Sequence, residues 1–345
     1  MLNNPDTVTQ PQDVLEIGGR AIGLGERVQL NLKVAKLYDH TEVVIPIEVI
    51  RGKKTGPVLF VSAAIHGDEL NGIAICRKIL EDKKLLKIHG TLIVIPVVNV
   101  YGFNSLSRYL PDRRDLNRCF PGSASGSLAS RVAWVFLREI VKKSTHGIDL
   151  HTGSAHRYNI PQIRANTEDP ATLKLAEAFG LSVIMRSDIR DGSLRQAGLE
   201  QGIPMLLFEG GEALRMDPAV IKAGYRGVMN VMRAIGMLKE TAHDTHASRK
   251  FQVSPRSQWL RATKSGVLTP IIKCGERVVK GQKIATISDT YGRLAEEVLA
   301  RSEGIVVGVL MLPVVHEGDA LFHIAYFDDA ELVESEISDF DAYDY

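Results

Sequence analysis

Three short stretches of this 345-residue chain set metal-ligating or acid–base side chains where apolar runs end. In Ala64-Ile65-His66-Gly67-Asp68-Glu69 a histidine and a glutamate follow the apolar run 57–65. On a tight turn that spacing lets an imidazole nitrogen and a carboxylate oxygen converge on one cation, although an HxxE quartet also arises by chance in many chains. Ile148-Asp149-Leu150-His151-Thr152-Gly153 repeats the placement with a second histidine. Asp149 is either a partner of that ring or a polar residue at a strand end. Two histidines and one glutamate, with water in the fourth position, are a ligand set of catalytic zinc. Phe208-Glu209-Gly210-Gly211-Glu212 follows the apolar run 204–208. A carboxylate at such a mouth suits a general base for a metal-activated water. Glu209 and Glu212 both qualify, and capping of the next turn is the plain alternative.

A fourth stretch, residues 107–122 (SRYLPDRRDLNRCFPG), holds four arginines within 108–118. The planar guanidinium fork suits a substrate carboxylate, and Asn117 adds neutral hydrogen bonds. Arg113 and Arg114 read as surface residues of the loop. Cys119 has no paired base and reads as packing. His243 and His246 lie in a polar stretch and read as incidental.

These residues need a scaffold that brings distant segments to one rim. Residues 57–65 and 91–98 are unbroken, β-branched apolar runs, too short for core helices, and read as strands buried on both faces. Residues 28–34 and 42–49 alternate as half-buried strands do, and 147–150 and 204–208 are further buried strands. Helical spacing covers 69–80, 132–141, 171–179 and 219–238, with Gly180 as a stop signal. Strands alternating with helices imply a mixed α/β sheet flanked by helices, and ligands of such sheets bind beyond the carboxyl ends of the strands. After a polar linker the texture changes. Residues 259–325 are short β-like pieces punctuated by glycine, with a weak echo between 279–285 and 315–322, and suggest an all-β barrel-sandwich. We therefore divide the chain into a catalytic domain, 1–245, a C-terminal β-domain, 251–328, and an acidic tail, 329–345. From Asp328 onward there are eight acidic residues and no basic one, so the tail is expected to be solvated.

Forty-two Lys and Arg against 41 Asp and Glu leave a formal charge of +1, which argues against a nucleic-acid partner. Three scattered cysteines form no disulfide framework, the N-terminus shows no signal-peptide core, and no apolar run approaches the roughly 20 residues of a membrane span. A cytoplasmic protein without membrane contact is expected. Open edges of the β-domain would let chains pair as a homo-oligomer.

Taken together, His66-Gly-Asp-Glu69, Asp115-Leu-Asn-Arg118 with Phe-Pro-Gly after it, Asp149-Leu-His151 and Phe208-Glu209-Gly resemble the succinylglutamate desuccinylase and aspartoacylase family of zinc carboxypeptidase-like proteins. The motifs stand in that family's order over about residues 25–240. The resemblance implies that His66, Glu69 and His151 hold one zinc ion per chain and that Glu209 acts as base and then acid. It also implies that Asn117 and Arg118 grip a substrate carboxylate and that Arg108 polarises the scissile carbonyl. The implied substrate is a small N-acyl amino acid or N-acyl amine bearing a carboxylate. The C-terminal part is similar to biotinyl and lipoyl carrier domains, but its turn Ser288-Asp289-Thr290-Tyr291-Gly292 lacks the lysine that carriers modify, so a lid or assembly element is expected. Two other functions would use the same residues: a zinc metallocarboxypeptidase acting on peptides, and a non-catalytic binding protein on this fold.

Overall fold

The computed structural model describes residues 14–187, 190–239, 251–293 and 296–342. The leader up to residue 13, and His243 and His246, lie outside them. A hairpin of β1 (Leu15–Ile17) and β2 (Arg20–Ile22) comes first. β3 (Arg27–Lys36) and β4 (Glu42–Arg51) pair antiparallel, and their alternating apolar side chains turn one face inward. The two apolar runs become the parallel neighbours β5 (Val58–Ala63) and β6 (Thr91–Ile95). Between them lies α1 (Asn71–Leu80), and after them come α2 (Val100–Asn104) and α3 (Leu128–Glu139).

Successive side chains of a strand point to opposite faces, and both faces here are covered. Phe60 turns to α3, where its ring meets Phe136 at 6.0 Å. Leu59 and Val61 share the other core with Ile75 and Val228.

β7 (His146–Gly153) lies parallel to β5, and β8 (Arg157–Ala165) follows it. α4 (Pro170–Phe179) starts on the Asp169 side chain, which accepts from the Thr172 amide, and stops at Gly180, whose φ is +84°. β9 (Val183–Arg186), α5 (Leu194–Glu200), β10 (Met205–Glu212) and α6 (Pro218–Ala234) complete this half.

The C-terminal part contains β11 (Gln252–Ser254), β12 (Arg256–Arg261), β13 (Gly266–Pro270), β14 (Arg277–Val278) and β15 (Lys283–Ser288). β16 (Glu296–Leu299), β17 (Gly304–Leu310), β18 (Val314–Val315), β19 (Ala320–Tyr326) and α7 (Ala330–Ala342) follow. A four-stranded sheet, β16-β15-β13-β18, packs Leu268, Ile284 and Ile287 against Val306, Phe322 and Ile324 of the other layer. That other layer is no separate sheet. β17 pairs antiparallel with β8, so a 13-stranded sheet runs β12-β19-β17-β8-β10-β7-β5-β6-β4-β3 through both parts of the chain, with β9, β11 and β14 branching from that path.

β8 makes this junction and explains its own Pro161. Residues 157–159 pair with β17 and 163–165 with β9. Pro161 falls between the two partners and opposite a bulge of β10, where a missing N–H costs no ladder bond.

The tail differs from the expectation of a solvated segment. Most of residues 329–345 form α7, because Ala330, Val333 and Ile337 recur at helical spacing and pack on Ile305, Val307 and Ala325. The acidic residues between them face outward, where Glu331 lies 3.4 Å from Arg277 and Glu334 accepts from the Arg277 amide. Among the described residues no helix is long and apolar enough to cross a membrane.

Candidate active site

β5, β7 and β10 are parallel, so their carboxyl ends open on one rim. The turn after β5 presents His66 and Glu69, and β7 presents Asp149 and His151. β10 sets Glu209 in register with His151, and β8 sets Gln162 opposite Glu209. The imidazoles of His66 and His151 stand 5.1 Å apart between centroids. Both turn Nδ1 to Glu69: His66 Nδ1 lies 2.7 Å from Oε1 and His151 Nδ1 2.8 Å from Oε2. All three side chains are buried, and their ligand atoms lie within 4.8 Å of one another.

The outer nitrogens are held by carboxylates. His66 Nε2 is 3.0 Å from Asp115 and His151 Nε2 is 2.7 Å from Asp149, which also accepts from Ser62 Oγ. Asp149 is thus a partner of the His151 ring. This is the arrangement that fixes ring orientation in metal-ligating histidines. Arg108 closes the cluster, with Nη1 3.2 Å from Glu69 and Nη2 2.9 Å from Asp115.

The electrostatics call for a cation. Burial alone would raise the Glu69 carboxyl, yet His66 and His151 outweigh it and hold the group far below the carboxylate range. Burial opposes charge on His151, but Asp149 and Glu69 prevail and raise it to about 10. His66 is raised in the same way, burial being outweighed by Glu69 and Asp115. Three carboxylates against one guanidinium leave two negative charges, which the raised rings answer with protons; a divalent ion on the deprotonated rings would balance the same charge. Two imidazoles and a carboxylate are, in donor chemistry, a fit for zinc.

The cluster floors a cavity of about 520 Å3. Glu209 lines it, with Oε1 accepting from Asn159 Nδ2 at 2.5 Å and Oε2 2.5 Å from Arg164 Nε. Glu212 stands past the bulge, 4.0 Å from the exposed His156. Asn117 lines the cavity and fixes α5 by accepting from the Leu194 amide at 2.8 Å. Arg118 lines it beside Arg190, and its guanidinium donates to the Asn117 carbonyl. Arg113 and Arg114 are exposed and do not line this cavity. Cys119 packs against the core, its thiol donating to the Asp115 carbonyl.

Sequence reasoning missed the far side of the cavity. Arg157 and Arg164 come from β8, Arg190 and Arg195 from the segment at α5, and Trp259, Arg261 and Ala320 from the C-terminal part. Their crowding shows: burial, then Arg164, with Arg190 adding to it, pushes Arg195 down to about 10. No motif signals these residues, since they are scattered over β8, the segment at α5, β12 and β19. The C-terminal part thus contributes a wall of the cavity.

The chain is similar to known proteins in sequence and in fold. A sequence model of the succinylglutamate desuccinylase/aspartoacylase catalytic domain matches residues 55–235. The N-alpha-acetyl-L-2,4-diaminobutyric acid deacetylase of Halomonas elongata is 27% identical over 304 residues, which cover 85% of this chain and 87% of the relative. Among solved structures, a succinylglutamate desuccinylase/aspartoacylase from Rhodobacter sphaeroides shares the fold at TM-score 0.78 with 24% identity, covering 87% of this chain and 96% of that one. The ectoine utilization protein EutE from Ruegeria pomeroyi does so at TM-score 0.78 with 24% identity, over 87% of this chain and 94% of that one. With the matched domain spanning more than half of its length, this chain belongs to the succinylglutamate desuccinylase/aspartoacylase family.

Proposed function

We propose that the chain is a zinc-dependent deacylase that hydrolyses the amide of a small N-acyl amino acid carrying more than one carboxylate. One observation carries the reading: His66, Glu69 and His151 converge beside Glu209 at the floor of a small cavity rich in arginine. Zinc held by those three side chains supplies a Lewis acid that lowers the pKa of water toward about 7. Glu209, anchored by Asn159 and Arg164, takes the proton of the attacking water and hands it to the departing amine. Arg108 leaves its carboxylate partners in part to donate to the oxygen on which negative charge develops. Asn117 spends its oxygen on the Leu194 amide, so its NH2 side is free to join Arg118 on a substrate carboxylate.

The cavity's charge supports the substrate class. Arg118, Arg157, Arg190 and Arg261 line it and form no ion pair with a carboxylate of the described residues. An acyl amino acid with two or more carboxylates balances that surplus. The Halomonas relative's acid is by its name a diamino acid, whose free amine would add to it. The size of the cavity and the C-terminal wall suit small molecules better than peptides.

The test pairs metal analysis of the purified protein with a panel of N-succinyl and N-acetyl derivatives of glutamate and aspartate, N-acetyl-diaminobutyrate and short peptides. Zinc at one per chain and fastest turnover of a dicarboxylate are expected. Cleavage of peptides alone would defeat the reading.

A further inference from the structure

The register between the two parts of the chain carries one more consequence for the reaction. Gly308 of β17 lies opposite Asn159 of β8 on one side and His323 of β19 on the other, and His323 lies opposite Trp259 of β12. From Asn159 to Trp259 a single row of residues crosses from the reacting end of the sheet to the far wall of the cavity. Gly308 is the one position of that row without a side chain.

The gap is filled by Asn159. A β-carbon on Gly308 would stand 2.3 Å from Asn159 Oδ1 and 3.3 Å from His323 Cβ. The first separation is impossible, and the group in the way is the end of a side chain, not backbone. An added methyl therefore displaces the Asn159 amide and leaves the strands paired. The displaced group is one that the site uses. Asn159 is 3% exposed, its Nδ2 donates to Glu209 Oε1 at 2.5 Å, and its Oδ1 is buried without a partner among the described residues. The single hydrogen bond to Glu209 and the bare backbone behind it are what hold it.

We propose that Gly308 is a positioning residue for amide hydrolysis: the space it leaves seats the Asn159 amide, and through Asn159 the C-terminal part sets the Glu209 carboxylate. This rests on the reading of Glu209 as the proton carrier given above.

The experiment is a double-mutant cycle in the full-length zinc protein, comparing Gly308→Ala, Asn159→Ala and the double variant with the parent. Gly308→Ala is expected to keep its zinc content and thermal midpoint, to lower kcat about 10- to 100-fold and to leave KM nearly unchanged, the pattern of a misplaced catalytic group. Asn159→Ala is expected to lose about as much, and the double variant no more than either alone. Losses that multiply in the double variant, or a Gly308→Ala enzyme with full kcat, overturn the proposal. Should Gly308→Ala fail to fold, Asn159→Asp serves in its place. It sets a like charge against Glu209 and is expected to fall below Asn159→Ala, and equal or higher activity overturns the link. Glu209→Gln keeps the two readings apart. If that variant retains full activity, the assignment of Glu209 fails, whereas an inactive Glu209→Gln beside a fully active Gly308→Ala removes the role of Gly308 alone.

Discussion

The two sides of the cavity are built on opposite electrostatic plans. On the floor, Glu69, Asp115 and Asp149 surround two imidazoles with a single guanidinium among them. On the far wall, arginines from β8, the α5 segment and β12 crowd together, and Arg164 reaches from it to pair with Glu209 at the floor. One side concentrates negative charge for a cation, the other concentrates positive charge for an anion. A substrate that is a carboxylic acid at one end and an amide in the middle spans both. On the function proposed above the reaction is thereby divided: bond making belongs to the floor, and selection belongs to the wall.

Substitutions on the floor should abolish turnover. His151→Ala removes a buried ligand and is expected to lose both metal and activity, and zinc at full occupancy in that variant would separate the floor from metal binding altogether. Glu209→Gln should keep the metal and lose roughly 10²- to 10⁴-fold in kcat, which metal analysis alongside steady-state rates would show.

Behind the wall, where His323 stacks on Trp259, stability should depend on pH to an intermediate extent. Burial, with Arg164 adding to it, pushes His323 down to about 3, while the unfolded chain takes up a proton near pH 6.5. The folded pKa is depressed, so this contribution to stability is complete above about pH 6.5 and is lost as the pH falls toward the folded value. Between pH 6.5 and 4 the parent should lose roughly 3 kcal/mol more than His323→Gln in denaturant titrations. Parallel curves for the two proteins would mean that the histidine is not kept neutral.

The smallest effects are expected from single arginines of the wall. Arg157→Gln or Arg261→Gln should each raise KM for dicarboxylate substrates about 10-fold and leave kcat nearly unaltered. If kcat fell and KM stayed constant, the division between selection and bond making would be wrong.

The two sides were unequally legible in the sequence. His66 and Glu69 follow the apolar run 57–65 and His151 follows 147–150, both of which read as buried strands, so strand ends and proposed ligands announce each other. The wall has no such marker. β8 (RYNIPQIRA) is polar and interrupted by Pro161, which speaks against a central strand unless its change of partner is known. Asn159 and Arg164 were hidden with it. The stretch from Asp328 misleads for the opposite reason: its eight acidic residues mask three apolar ones whose spacing fits a helix against β17. Tertiary context decided both cases. The sandwich of the C-terminal part was foreseeable from its glycine-punctuated strands, whereas its fusion to the catalytic sheet was not.

That fusion bears on how the protein can be handled. Cutting the chain near residue 245 would bare the amides and carbonyls of residues 157–159 and uncover Ile160, Val183 and Met185, which now pack on Ile305 and Val307. An open strand border beside greasy surface is a template for pairing with other chains. A trimmed N-terminal half is therefore expected to associate through that border, and the two lengths of polypeptide share one sheet and one packed face.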